Sequence, residues 1–143
     1  MKKIFAILAI TLATFTWAKA DDRPVTFEQL PNAAKTFIKN TYPNEKISFA
    51  TVDDDLIKPD YNVVLASGIK IEFDNNGTLE KIESRAGVPA KVVPTQITDY
   101  VKAHYPDVTI VEYEVGRFVY EVKLSNRLEI NFNHNFKPVR YDD

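Results

Sequence analysis

The chain has 143 residues and no cysteine, and it sets 18 basic against 20 acidic side chains for a net charge of −2. Mild acidity without basic clusters excludes a nucleic-acid binder that works by neutralising phosphates. The missing cysteines exclude disulfide staples, thiolate metal sites and a thiol nucleophile.

Residues 1–20 read as a secretory signal peptide. Lys2 and Lys3 give the positive start, residues 4–17 are apolar apart from threonines, and Ala18-Lys19-Ala20 is a small-x-small cleavage pattern. Cleavage is predicted before Asp21. The apolar run falls short of the roughly 20 residues that span a bilayer, and no second hydrophobic segment follows. A lipid anchor at the cleavage site would need a cysteine. Loss of Lys2, Lys3 and Lys19 takes the net charge from −2 to about −5. The expectation is a soluble exported protein, periplasmic or secreted, with one domain over residues 21–143. At about 120 residues a core can hold without covalent staples.

The exported part repeats itself. At a shift of 63 positions, Pro31, Phe37, Ile38, Lys39, Tyr42, Pro43 and Ile47 fall on Pro94, Tyr100, Val101, Lys102, Tyr105, Pro106 and Ile110. At a shift of 59, Tyr61, Val63, Leu65, Ile69, Ile71 and Phe73 fall on Tyr120, Val122, Leu124, Leu128, Ile130 and Phe132. The change of shift places four extra residues in the first copy, around Asp53 to Pro59. The copies span residues 25–83 and 93–141, joined by a linker at 84–92. A duplicated unit of this length sets the architecture.

Each copy opens with a helix. Thr26 and Gln29 have capping-box spacing, and Pro31 suits a first helical turn. Ala34, Phe37, Ile38 and Tyr42 recur at helical spacing, as do Ile97, Tyr100, Val101 and Tyr105 after Pro94. Pro43 and Pro106 stop the helices. Strand-like runs follow at about 46–52, 61–66, 69–74 and 78–83, then at 109–115, 118–124, 128–133 and 136–141. Ser67-Gly68 and Asp74-Asn75-Asn76-Gly77 are hairpin signals. In the second copy the turns fall at Val115-Gly116-Arg117, Ser125-Asn126-Arg127 and Asn133-His134-Asn135. The fold class is therefore α+β: two helix-plus-antiparallel-meander repeats forming one sheet, with both helices on one face.

Alternation then sorts the side chains. The face turned from the helices carries Lys70, Glu72, Glu121, Lys123, Glu129 and Asn131, the candidates for partner binding. Tyr113 and Phe118, which flank the Gly116 turn, join them. Tyr113 falls on Ala50, so one copy sets a large ring where the other is small. An interface anchor and packing against the linker or the other copy both explain it.

The string Leu30-Pro31, Phe37-Ile38-Lys39, Tyr42-Pro43, Tyr61-x-Val63-x-Leu65 and Ile69-x-Ile71-Glu72-Phe73-Asp74-x-Asn76-Gly77 resembles the PepSY-like family of small exported bacterial proteins. That family is also labelled beta-lactamase-inhibitor-like. The resemblance runs from about Val25 to Tyr141. It implies a helix-plus-sheet repeat, residence in a Gram-negative envelope and a non-catalytic binding role. Related domains restrain peptidases, and the fold's namesake clasps a beta-lactamase with its concave sheet face. This chain lacks the cysteines that brace the namesake and any motif matching its contact loops. No individual functional residue is carried over.

Little else in the chain suggests chemistry. His104 ends the second helix and His134 sits in a turn, at no spacing that suggests a shared metal. No nucleophile-and-base set is present. Asp53-Asp54-Asp55 with Asp60 is the sharpest charged feature. Its spacing does not meet a calcium loop, and a solvated loop tip explains it. The reading is a binding module with no catalytic residue, cofactor or metal ligand assigned, and a protein partner. The alternatives are a calcium-dependent envelope protein using the 53–60 loop, or one that self-assembles through edge strands.

Overall fold

A computed structural model describes residues 22–54 and 57–142. The predicted signal peptide at 1–20, and Asp55 of the acidic run, lie outside the described residues. The elements in order are β1 (Asp22–Val25), a 3-10 turn (Phe27–Gln29), α1 (Asn32–Thr41), β2 (Ile47–Asp53), β3 (Asp60–Leu65), β4 (Lys70–Phe73) and β5 (Leu79–Glu83). A second 3-10 turn (Ala90–Val92) leads into α2 (Thr95–His104), β6 (Ile110–Val115), β7 (Tyr120–Leu124), β8 (Glu129–Phe132) and β9 (Pro138–Asp142). All nine strands form one antiparallel sheet in sequence order.

The duplication is visible down to its irregularities. In the first copy the register slips between Ile47 and Phe49, and in the second between Ile110 and Glu112, their counterparts at a shift of 63. A second slip falls between Glu72 and Phe73 in one copy and between Asn131 and Phe132 in the other. Such bulges kink and twist a strand locally.

Each helix meets the sheet through the same contact. Phe37 packs edge-on against Phe73 at 5.6 Å, and Tyr100 packs edge-on against Phe132 at 5.4 Å. Ala34, Ile38, Ile97 and Val101 join Val63, Ile71, Val122 and Ile130 in a single core. Both helices therefore lie on one face. Tyr42 and Tyr105 close the two helices by donating their N–H to Ile38 and Val101, and Pro43 and Pro106 follow. Helices this short depend on that packing.

Three local expectations change. The capping box is formed, with the Thr26 N–H donating to Gln29 Oε1 at 2.8 Å, but it closes the 3-10 turn and not the helix. Pro31 and Pro94 stand at the N-cap positions of α1 and α2, one residue before the first turn, with ψ of 148° and 137°. Their carbonyls accept from Lys35 and Thr98, so the prolines still serve as starts. The third change is β1, which sequence patterning missed. Asp22-Arg23-Pro24-Val25 has no alternation and contains a proline, which is tolerated because this is an edge strand.

The hairpins differ in how they reach positive φ. Gly68 and Gly77 take φ of 94° and 85°, and their counterparts Arg127 and Phe136 take 76° and 62°. Asp74 Oδ1 accepts from the N–H of Asn76 and Thr78, and Asn133 Oδ1 accepts from Asn135 and Lys137. Asp74 is thereby engaged in its own turn.

Candidate functional site: the open sheet face

Directly opposed residues of a sheet share a face, so the register defines what the open side displays. One row runs Asn62, Glu72, Lys81, Glu114, Glu121, Asn131, Arg140. The next runs Val64, Lys70, Glu83, Glu112, Lys123, Glu129, Asp142. Carboxylates outnumber cations in both rows. The interleaved rows, such as Val63, Ile71, Ile82, Tyr113, Val122, Ile130, face the helices and are buried.

Lys70, Glu72, Glu121, Lys123, Glu129 and Asn131 stand on the open face as alternation predicted. Asn131 is screened by its neighbours at 9% exposure. Tyr113 requires correction. It is 4% exposed in the helix-facing row, stacked on Tyr120 at 6.4 Å, and its phenol is pushed up to about 12 by burial and then by Tyr120. The large ring at Ala50's place in the repeat fills core. Phe118 is 71% exposed in the turn between β6 and β7, beneath the Arg117 guanidinium at 5.2 Å. It stands at the end of the sheet, away from the two rows.

Sequence reasoning missed Lys81, Glu83, Glu112 and Glu114, which form the centre of the face. Their alternation in the runs at 78–83 and 109–115 was a usable signal. The pairing of β5 with β6 across the linker was not, and that pairing brings the two copies' charges together. Lys81 Nζ reaches Glu112 at 3.1 Å and Glu83 at 3.8 Å, and Lys123 reaches Glu129 at 3.9 Å. Burial pulls the Lys81 ammonium down, but the hydrogen bond and charge of Glu112, with Glu83 and Glu72, raise it overall.

The carboxylates crowd one another. Glu112, Glu114 and Glu121 have oxygens within 4.8 Å of each other. Glu121 is raised by burial, then by Glu129, Glu114 and Glu112. Glu72 is raised by burial, against which Lys81 pulls down, and Glu114 and Glu83 push up further. Toward β1, Asp53 stands opposite both Asp22 and Asp60. Glu80, the extra residue of the β5 bulge, is pushed up to about 7 by burial first, then by the charge and hydrogen bond of Asp60, with Asp74 and Glu72 adding to it. A hollow of about 270 Å³ lies among Asp53, Asp60, Lys70, Glu72 and Lys81. Asp54 is drawn off to Arg23 at 2.8 Å.

The histidines have structural partners. His104 Nδ1 lies 2.9 Å from the Tyr100 carbonyl and its ring stacks on that tyrosine, while His134 Nε2 lies 3.2 Å from the Arg117 carbonyl.

A family model described as "Putative beta-lactamase-inhibitor-like, PepSY-like" matches residues 14–55 and 59–139. The short break falls between β2 and β3, at the four-residue insertion. A solved protein of Bacteroides vulgatus, described as periplasmic and of the DUF2874 family, is 37% identical. It superposes with a TM-score of 0.83 over 88% of this chain and all of its own. A protein of Bacteroides thetaiotaomicron described as calcium-regulated and periplasmic is 35% identical, with a TM-score of 0.83 over 86% of this chain and 98% of its own. Another from Bacteroides vulgatus, described as periplasmic and of unknown function, is 30% identical, with a TM-score of 0.81 over 85% and 99%. Among curated proteins none matches significantly.

Proposed function

The chain belongs to the beta-lactamase-inhibitor-like, PepSY-like family, and on that premise we propose that it is a periplasmic, non-catalytic binding module that restrains a partner protein through its open sheet face. The observation that carries this is the crowding of Glu72, Glu112, Glu114 and Glu121 around Lys81. Like charges held side by side on half-buried carboxylates cost folding stability. A partner presenting lysines or arginines would relieve that cost on docking, and complementary fields also speed encounter. The partner surface is therefore basic, and family resemblance makes a peptidase the first candidate.

The test is photocrosslinking in the envelope from Glu121 and Lys123, with Lys102 on the outer side of α2 as the control position. Enrichment of one peptidase from the sheet positions alone, lost on charge reversal at Lys70, Glu121 and Lys123, is the expected result. Equal capture from Lys102, or capture indifferent to the reversals, refutes the assigned face.

Calcium is the second reading. A relative is described as calcium-regulated, and the Glu112, Glu114 and Glu121 oxygens converge within 4.8 Å. Calcium takes several oxygen ligands, and here it would compete with Lys81 for Glu112. Calorimetry showing no heat, with no change in melting temperature on adding calcium, removes this reading.

A further inference from the structure

The last strand of each repeat has an outer edge, and among the described residues only one of the two is filled. β5 lies between β4 and β6, whereas β9 has β8 as its one described neighbour. The two are the same strand of the duplicated unit, because residues 79–83 map onto 138–142 at the shift of 59. Each carries one extra residue at the same place. Glu80 falls between the pairs Phe73–Leu79 and Glu72–Lys81, and Val139 between Phe132–Pro138 and Asn131–Arg140.

The filled edge shows what the unit accepts. On β5, Lys81 stands opposite Glu114, Ile82 opposite Tyr113 and Glu83 opposite Glu112. A bulge and alternating charges are common guards against stray strand pairing, yet neither prevents β6 from docking there. The other end of the sheet repeats the rule. β1 covers β2 with Pro24 opposite Thr51 and Val25 opposite Ala50; Thr51 and Ala50 are the counterparts of Glu114 and Tyr113 at the shift of 63, so β1 takes beside β2 the place that β5 takes beside β6. Among the described residues, β9 is the strand of this type whose complement is missing.

Its side chains are arranged as those of β5 are. Arg140 pairs with Asp142 at 2.8 Å, as Lys81 pairs with Glu83 at 3.8 Å. What β9 lacks is a counterpart of Glu112, which lies 3.1 Å from Lys81. Ile82 is fully buried beside Tyr113 of β6, whereas its counterpart Tyr141 is 46% exposed, with Val139 at 56%.

We propose that the outer edge of β9 docks an extended segment of a partner protein as a tenth, antiparallel strand, with acidic–apolar–acidic alternation that sets a carboxylate on Arg140 and an apolar side chain over Tyr141. Strand addition takes its affinity from main-chain hydrogen bonds and its specificity from alternate side chains. The pattern is the one β6 presents to β5, Glu112-Tyr113-Glu114. In a second copy of this chain the two strands of that type, β2 and β6, already have both edges paired, so a foreign segment is the better complement. This site is the sheet edge, and it adjoins the open face where the two rows end on Arg140 and Asp142.

The probe is a synthetic peptide of residues 109–116, Thr-Ile-Val-Glu-Tyr-Glu-Val-Gly, titrated into the purified protein. Hydrogen exchange by NMR is expected to show protection gained along residues 139–142. Arg140→Glu is expected to weaken the peptide at least tenfold, and Lys102→Glu to leave it unchanged. A peptide with lysine at both glutamates loses affinity for the native chain and regains it with Arg140→Glu, a reversal that mere unfolding of the edge cannot produce. Protection confined to the open face, affinity indifferent to Arg140→Glu, or dimers joined through β9 that the peptide cannot open would each overturn the proposal.

Discussion

Replacing Glu80 with glutamine tests the electrostatics of the acidic end of the sheet. The bulge turns this side chain onto Asp60, with Asp74 and Glu72 nearby, and its carboxyl is pushed from 4.5 up to about 7, by burial first and then by Asp60. The rise from 4.5 to about 7 corresponds to about 3 kcal/mol. The group is partly open to water, and screening reduces that to roughly 1–2 kcal/mol. The folded state holds this proton more tightly than the unfolded chain does. Its contribution to stability is therefore full below pH 4.5 and lost as pH rises through 7. Glutamine carries no charge at any pH, and its amide can still donate to Asp60. Urea unfolding of both proteins at pH 4.5, 6 and 8 should show little difference at the lowest value. At pH 8 the variant should be ahead by roughly 1–2 kcal/mol. A variant no more stable than the parent at pH 8, or one ahead by the same margin at every pH, would refute the reasoning.

Gly77→Ala should cost about 2–4 kcal/mol, read as a lower urea midpoint. The residue has φ of 85°, and an added Cβ would lie 2.7 Å from the Ala34 backbone nitrogen and 2.8 Å from Pro31 Cβ. Gly68→Ala, with nothing within 4 Å of the new methyl, should cost only the left-handed backbone penalty of about 1–2 kcal/mol. Phe73→Ala and Phe132→Ala each empty a fully buried site under a helix and should cost about 3–5 kcal/mol in the same assay. Lys81→Gln leaves Glu83 and Glu112 without their cation. Its melting temperature should drop at pH 8 and recover toward the parent's at pH 5, as the raised carboxyls of Glu72 and Glu121 take up protons. A drop of equal size at both pH values would mean that Lys81 acts through packing alone.

The repeat made most of the fold legible. Phe37, Ile38, Tyr42 and Pro43 recur as Tyr100, Val101, Tyr105 and Pro106 because each pair performs the same task, a helix face on a sheet and a stop after it. Alternation within each meander then placed Lys70, Glu72, Glu121 and Lys123 on the correct side. What escaped had no local signal. β1 is a strand only because β2 offers it an edge. The Lys81–Glu112 pair joins the two copies, and a register across a linker is decided by tertiary packing. Tyr113 was misplaced for a related reason. Its alignment with Ala50 gave the right position in the unit, but a size difference alone does not say which face it serves, and the pairs Ile82–Tyr113 and Tyr113–Val122 do.

The copies also show which positions folding constrains. On the helix-facing side, Val63, Leu65, Ile71 and Phe73 recur unchanged as Val122, Leu124, Ile130 and Phe132, all nearly fully buried. On the open side, the corresponding pairs are Asn62 and Glu121, Val64 and Lys123, Lys70 and Glu129, and Glu72 and Asn131. Charge is gained, lost or reversed at these four positions, whereas Lys81 and Glu83 keep their sign as Arg140 and Asp142. If the open face served only to keep the sheet in water, either copy's choice would serve both. Lys81 of the first copy also neutralises Glu112 of the second, so the junction of the copies adds a pair to those formed within a copy, Lys123–Glu129 and Arg140–Asp142. A partner docking on this face, as proposed above, would meet two chemically different halves.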